Sequence, residues 1–151
     1  IYRYFENKKE ILSALRHEAF GFFIERQKKF IPLEDPLERV RRAARFYVQF
    51  ALEEPDWFEL MFNMGPSTVA LGGEWAARPQ ETFDMFRKDV AECVACKCFG
   101  DEDVDTLVFA IWSTMHGLAN LAVKKRLDAL AGDLDVNELA DKVVAFTTRR
   151  A

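Results

Sequence analysis

An Asn or Asp followed three residues later by Glu recurs four times in this chain, and each pair signals the start of an α-helix. The pairs are Asn7/Glu10, Asp35/Glu38, Asp56/Glu59 and Asp135/Glu138. The Asx side chain accepts a hydrogen bond from a backbone N–H that the first helical turn leaves unpaired, and the Glu reaches back to the cap. Pro36 strengthens the second signal, because the first helical position tolerates a missing N–H. Four such starts predict an all-α fold.

Apolar residues recur at helical spacing between these starts, and no strand-like alternation lasts more than a few residues. The first helix is predicted to bury one stripe, made of Ile11, Leu12, Leu15, Ala19, Phe22, Phe23 and Phe30. Residues 63–79 are expected to be irregular, because Gly and Pro interrupt the period there. The predicted helices are Lys8 to Phe30, Pro36 to Glu54, Trp57 to Phe62 or Met64, Pro79 to Cys96, Asp101 to Leu127, and Val136 to Thr147.

Length and charge restrict the function. The 151 residues suit one domain with a real core. There is no run of eighteen apolar residues and no secretory signal, so we expect neither a membrane span nor a membrane partner. A net charge of −4 is a poor balance for a surface that coats nucleic acid. Ile1 is not a natural start residue, so we expect further sequence upstream.

Three cysteines, an odd number, argue against a disulfide framework and favour a reducing cytoplasm. We expect Cys93, Cys96 and Cys98 to be free thiols without a metal, because no second cluster completes four ligands. A metal- or redox-responsive role for these three residues stays open as an alternative. The sequence contains no glycine-rich phosphate loop, no HExxH and no nucleophile elbow, so we expect neither an enzyme nor a cofactor.

The first twelve residues, IYRYFENKKEIL, resemble the end of the DNA-binding region of TetR-family transcriptional regulators. In that family a recognition helix ends in a Tyr-x-His/Tyr-Phe element, and a Lys then begins a long helix. The resemblance implies that residues 1–7 end a helix-turn-helix region and that Tyr2, Tyr4 and Lys8 contact DNA phosphates. Most of the helix-turn-helix is missing from this sequence, so only a full-length protein is expected to bind duplex DNA.

A second resemblance lies further along the chain. Residues 112–118, WSTMHGL, resemble the Trp…His-Gly element of one TetR C-terminal class. Residues 45–55, followed by residues 60–62, resemble the segment that precedes it. The resemblance implies that residues 8–151 form the effector-binding and dimerisation domain of a repressor that its effector releases from DNA. A helical interaction domain with a solid core and no effector is the remaining alternative.

The resemblance and the residues together predict two sites. Fourteen Phe and three Trp are enough to line a pocket for a small apolar or aromatic effector, with His116 as its polar partner. The predicted pocket residues are Phe22, Phe46, Phe50, Trp57, Met61, Phe86, Trp112, Met115 and His116. A helix that is apolar nearly all round needs cover on several sides, which predicts a two-fold homodimer. The predicted interface residues are Ala110, Ser113, Gly117, Leu121, Val136, Leu139 and Val143.

Overall fold

The computed structural model describes residues 7–30, 34–64 and 73–149, and this part of the chain is helical without strands. The all-α prediction is confirmed. We number the seven described helices in chain order. They are α1 (Lys8–Phe30), α2 (Pro36–Glu53), α3 (Pro55–Phe62), α4 (Glu74–Ala95), α5 (Val104–Val123), α6 (Arg126–Ala131) and α7 (Val136–Thr147).

Side-chain caps fix the starts of several helices, as the sequence predicted. Asn7 accepts from the backbone N–H of Glu10 at 3.0 Å, and Asp35 and Asp135 each accept from two backbone N–H groups. The predicted cap at Asp56 is wrong. Helix α3 begins two residues before the predicted start at Trp57, at Pro55, whose fixed φ suits the first helical position.

Two other predicted boundaries are corrected. Helix α4 begins at Glu74, and Pro79 lies inside it, where the missing N–H costs one intrahelical hydrogen bond. Helix α5 begins after Asp103, whose carboxylate accepts from the Thr106 N–H at 2.9 Å. It ends at Val123 instead of Leu127, because Lys125 takes a left-handed conformation (φ 54°) that separates α5 from α6.

Helix α2 lies at the centre of the molecule and contacts α1, α3, α4, α5 and α7. Its residues Val40, Val48 and Phe50 are completely buried. Helix α5 packs against α2, α4 and α7, and α1 packs against α3 and α4 as well as α2. The space between α1, α2, α4 and α5 is where the candidate site lies.

The buried face of α1 differs from the predicted stripe. Leu15, Phe22 and Phe30 are about two-fifths exposed. The buried residues are Ser13, Arg16, Ala19, Phe20, Phe23, Ile24 and Gln27. Large apolar residues occur on every side of this helix, so its packing partners decide which side turns inward. That rotation brings three polar side chains, Ser13, Arg16 and Gln27, into the interior.

Helix α5 is long and apolar enough to cross a membrane by length and composition alone. Within the described residues it is the one helix that meets this test. It also contributes Val108, Ile111 and Met115 to the core shared with α2. One such helix is weak evidence for a membrane span, because core helices pass the same test.

Candidate ligand-binding cavity

A cavity of about 400 Å³ lies between α1, α2, α4, α5 and the end of α3. Its size falls within the range of pockets that hold small organic molecules. Aromatic and sulfur-containing side chains supply most of the wall. The described lining residues are Arg16, Phe20, Phe23, Gln27, Ala43, Ala44, Tyr47, Met61, Phe62, Met64, Pro79, Gln80, Thr82, Phe83, Phe86, Phe109, Ile111, Trp112 and Met115.

Helix α1 presents one continuous row of side chains to the cavity. Arg16, Phe20, Phe23 and Gln27 are spaced by four, three and four residues, which places them on one helical face. The row spans eleven residues, so Arg16 and Gln27 lie roughly 16 Å apart along the helix axis. The wall is therefore polar at both ends and aromatic between them.

Arg16 is almost fully buried, with 2% of its surface exposed. Its Nε donates to the backbone carbonyl of Leu60 at 2.9 Å, which fixes the guanidinium against the second half of α3. Burial lowers the pKa of Arg16, but arginine remains charged in proteins. No acidic side chain occurs among the described lining residues. Arg16 thus gives the cavity its positive charge.

Gln27 is the second buried polar residue of the wall, with 5% of its surface exposed. Its Oε1 is buried and has no hydrogen-bond partner within the described part of the chain. A buried carbonyl oxygen without a donor costs free energy, so such groups are normally paired. A ligand with an O–H or N–H group is one way to satisfy it.

Tyr47, Trp112 and His116 form a hydrogen-bonded group beside the cavity. Trp112 Nε1 donates to Tyr47 Oη at 3.4 Å, and Tyr47 Oη lies 2.6 Å from His116 Nδ1. Indole is a donor only, so Tyr47 Oη accepts from Trp112, and it either donates to Nδ1 of His116 or accepts from it, according to the imidazole tautomer. Burial raises the pKa of Tyr47 and lowers that of His116. Both side chains are therefore neutral at pH 7.

The wall opposite α1 is aromatic. Phe83 of α4 meets Phe109 and Trp112 of α5 at ring-centroid distances of 5.9 and 6.3 Å, and Phe109 and Trp112 are 6.1 Å apart. Phe109 is 50% exposed, so the cavity reaches the surface there. Flat apolar groups fit against such a wall, since aromatic pairs favour offset or edge-on contacts at these distances.

The structure places four of the nine predicted pocket residues in the cavity wall: Met61, Phe86, Trp112 and Met115. The other five lie elsewhere. Phe46 and Phe50 fill the core at 3% and 0% exposure. Phe22 and Trp57 meet on the outer side of α1, with Arg26 over the Phe22 ring. His116 lies behind Tyr47, against Phe58 and Phe62.

The prediction missed the polar residues of the wall. The apolar residues of α1 alone predict a face that does not include Arg16 and Gln27. The signal that was available is the spacing of Arg16, Phe20, Phe23 and Gln27, which is as regular as that of the expected stripe. Tyr47 also lines the cavity, one helical turn from Ala43 and Ala44. The sequence pattern of α2 indicates only a packing role for Tyr47.

The residues predicted for the other two sites lie mostly at the surface where they are described. Lys8 lies in the first turn of α1 and is exposed; Tyr2 and Tyr4 lie outside the described residues. On α5 the side chains of Ala110, Ser113 and Leu121 are exposed, and so is Gly117. On α7, the predicted interface residues are half-buried; they are Val136, Leu139 and Val143.

The cysteines differ from the prediction of three free thiols. Cys96 and Cys98 form a disulfide, and Cys93 is a buried residue that takes no part in it. The positive φ of Lys97 (60°) turns the chain at the end of α4 and leaves the two Cα atoms 5.5 Å apart, a normal disulfide spacing. Among the described residues, no three His, Cys, Asp or Glu side chains gather in a way that holds a metal ion.

The described residues form an all-α body around this cavity, and comparison with known proteins gives the family. Residues 40–147 match the family model described as "Tetracyclin repressor-like, C-terminal domain". This match covers most of the chain, and the chain belongs to that family. The Trp…His-Gly element remains a resemblance of the sequence.

Solved structures share the fold. A protein of unknown function from Rhodococcus sp. RHA1 superposes with a TM-score of 0.81 at 21% identity, over 95% of this chain and 73% of that one. The TetR family transcriptional regulator PfmR from Thermus thermophilus has a TM-score of 0.70 at 20% identity, over 97% and 78% of the two chains. No curated protein matches the sequence.

Proposed function

We propose that this chain is the effector-binding and dimerising part of a TetR-type transcriptional repressor, a cytoplasmic regulator and not an enzyme. A small, mainly apolar effector enters the cavity and weakens the binding of duplex DNA by the full-length protein. The observation that carries the proposal is the cavity of about 400 Å³ walled by α1. The family membership supports regulation as the broad function.

Helix α1 supports a link between the effector and DNA. It begins at Lys8, directly after the segment that resembles the end of a DNA-binding region, and its buried face forms one wall of the cavity. Lysine and a helix N-terminus both suit phosphate oxygens, so Lys8 is proposed to contact the DNA backbone together with Tyr2 and Tyr4. An effector that tilts α1 changes the position of these contacts.

The exposed side of α5 supports a homodimer. Ala110, Ser113 and Gly117 lie one turn apart along it, and Leu121 continues the row with 38% of its surface exposed. This row is uncharged and built mainly from small residues, which allow a partner helix to approach closely. A two-fold axis along α5 and α7 suits the symmetry of a palindromic operator.

The cavity is tested with N-phenyl-1-naphthylamine, a neutral apolar probe whose fluorescence rises when it leaves water. We expect saturable binding by the chain. Ala43→Leu fills part of the cavity, because Ala43 lines it and is 5% exposed; this variant should weaken binding at least about tenfold, which corresponds to about 1.4 kcal/mol. Ala129→Leu, at an exposed position on α6, is the matched control and should bind as the parent does. Equal binding by both variants would contradict the proposal.

A redox-responsive regulator is a second candidate, favoured by the disulfide between Cys96 and Cys98. Helix α4 carries both this disulfide at its end and the cavity residues Phe83 and Phe86. Dithiothreitol reduces the disulfide to two thiols and is itself oxidised to a cyclic disulfide. A reversible change in DNA affinity on reduction, absent from Cys96→Ser, supports this candidate; an unchanged affinity counts against it.

A further inference from the structure

The cavity of the proposed regulator also indicates which class of effector it accepts, and this inference rests on the function proposed above. We infer that the effector is an amphipathic carboxylate: a carboxylate that binds Arg16, an apolar aromatic body, and a hydrogen-bond donor at the far end that binds Gln27. The two polar ends of the α1 wall indicate the carboxylate and the distal donor of the ligand. The aromatic residues between these ends indicate its apolar body.

The head group follows from the charge of the wall. Arg16 is buried at 2% exposure, lines the cavity, and donates from its Nε to a neutral acceptor, the carbonyl of Leu60. The described lining contains no acidic side chain and no second cation. A buried guanidinium prefers an anionic ligand, with which it forms charge-assisted hydrogen bonds, and repels a cationic one.

The opposite end of the α1 row offers a different group. Gln27 is 5% exposed, and its buried Oε1 accepts no hydrogen bond from the described residues. Since Arg16 and Gln27 are roughly 16 Å apart along α1, one elongated molecule is needed to reach both ends. Between them Phe20 and Phe23 face the cavity from α1, and Trp112 faces it from α5, so the middle of the molecule is apolar.

The head group is tested on the parent chain with three ligands that differ only at one end: 6-phenylhexanoate, 6-phenylhexan-1-ol and 6-phenylhexylamine. Affinities are measured by displacement of N-phenyl-1-naphthylamine and by calorimetry. A charge-assisted hydrogen bond makes the acid bind about 10- to 100-fold more tightly than the alcohol, and the amine should bind most weakly. Equal affinities for acid and alcohol, or a preference for the amine, would overturn the inference.

The role of Arg16 is tested by the ratio of the acid and alcohol affinities. Arg16→Met should bring this ratio close to one, and Arg16→Lys should keep a preference for the acid. Arg26→Met is the matched control, because Arg26 lies on the same helix but pairs with Glu53 and Glu54 outside the cavity; its ratio should equal that of the parent. An unchanged ratio in Arg16→Met overturns the assignment of Arg16. If that variant does not fold, the comparison of the three ligands on the parent chain still tests the preference for a carboxylate.

The far end is tested with 6-(4-hydroxyphenyl)hexanoate, which adds one O–H donor. It should bind the parent about 2- to 10-fold more tightly than 6-phenylhexanoate, and Gln27→Leu should abolish this gain. No gain in the parent contradicts the assignment of Gln27. If N-phenyl-1-naphthylamine itself does not bind, the proposed function fails. If this neutral probe binds but the chain shows no preference for the acid, only the proposed effector class is overturned.

Discussion

At the scale of single residues, burial beside Tyr47 keeps the side chain of His116 neutral. Tyr47 Oη accepts from Trp112 Nε1 and is hydrogen-bonded to His116 Nδ1 at 2.6 Å. A charged imidazole carries a proton on both ring nitrogens, so the Tyr47 hydroxyl would then accept from both Trp112 and His116. Burial also disfavours the charged imidazole, which is why the pKa of His116 is lowered. The neutral side chain is part of the packing between α2 and α5.

His116 should therefore make the chain less stable at mildly acid pH. The unfolded state binds a proton near pH 6.5, while the folded state binds it only at lower pH, so the unfolded state gains protons first. The stabilisation is fully present above pH 6.5 and is lost as the pH falls through the folded pKa. We expect the Tm of the parent to drop between pH 7 and pH 5 and that of His116→Gln to drop less. Parallel Tm profiles for the two proteins would contradict this assignment.

The candidate site was only partly predictable from residue types. Of the predicted pocket residues, Met61, Phe86, Trp112 and Met115 line the cavity, because long apolar side chains on facing helices meet there. Phe46 and Phe50 have the same chemistry, but they fill the core. Sequence alone does not distinguish an apolar side chain that packs from one that borders a space, because both positions have the same helical spacing.

At the scale of secondary structure, Asp35 and Asp56 allow an aspartate that caps a helix to be compared with one that does not. Asp35 accepts from the N–H groups of Leu37 and Glu38, whereas Asp56 lies inside the first turn of α3 without a cap bond. Asp35→Ala should lower the free energy of unfolding by about 1 kcal/mol. Asp56→Ala, the control, should lose only a few tenths through the helix dipole. Urea unfolding measures both, and equal losses would be inconsistent with the observed caps.

Helix boundaries were predictable where a cap or proline marks them, and less so elsewhere. The bounds of α1 and α7 agree with the prediction. Helix α4 begins five residues before Pro79 because tertiary packing tolerates an internal proline. The predicted buried face of α1 was further from the structure than its bounds. Apolar residues such as Leu15 and Phe22 occur on every side of α1, so contacts with α2 and α4 decide which face is buried. The local sequence pattern carries no information about those contacts.

The exposed row on α5 yields the prediction for dimerisation. A Cβ added to Gly117 meets no atom within 4 Å inside the chain, and leucine favours a helix more than glycine does. Gly117→Leu should leave the subunit folded and raise the free energy of association, so that a dimer becomes a monomer at micromolar concentration. Light scattering measures the mass, with Ala129→Leu as the control outside the interface. A monomeric parent, or a Gly117→Leu variant as dimeric as the parent, would refute the interface.

At the scale of the whole molecule, α1 joins the two proposed activities. Lys8 lies in its first turn, and its cavity row begins at Arg16, eight residues or roughly 12 Å further along the axis. Arg78 of α4 also holds α1, because its Nη1 donates to the His17 carbonyl at 2.6 Å. A movement of α4 is therefore transmitted to α1, the helix whose first turn is proposed to contact DNA.

This geometry predicts that ligand response and DNA affinity respond to different substitutions. In a chain that carries a helix-turn-helix ahead of Ile1, Lys8→Ala removes one phosphate contact, so it should weaken binding to all DNA sequences and reduce the salt dependence by about one counterion. Trp112→Ala removes part of the cavity wall, so it should reduce the ligand response and leave DNA affinity nearly unchanged. Residues 1–151 alone should not bind a DNA sequence specifically.

The measurement is fluorescence anisotropy of labelled operator DNA at several salt concentrations, with and without saturating N-phenyl-1-naphthylamine. For the parent, a coupling of about 1–3 kcal/mol corresponds to a 5- to 150-fold loss of DNA affinity when the probe is bound. The two sites lie at separate points of the molecule and share no side chain, so the double variant should show the sum of the two single effects. A Trp112→Ala protein that releases DNA as readily as the parent would exclude the cavity as the site of control, because the proposed signal has to pass through the wall that this residue forms.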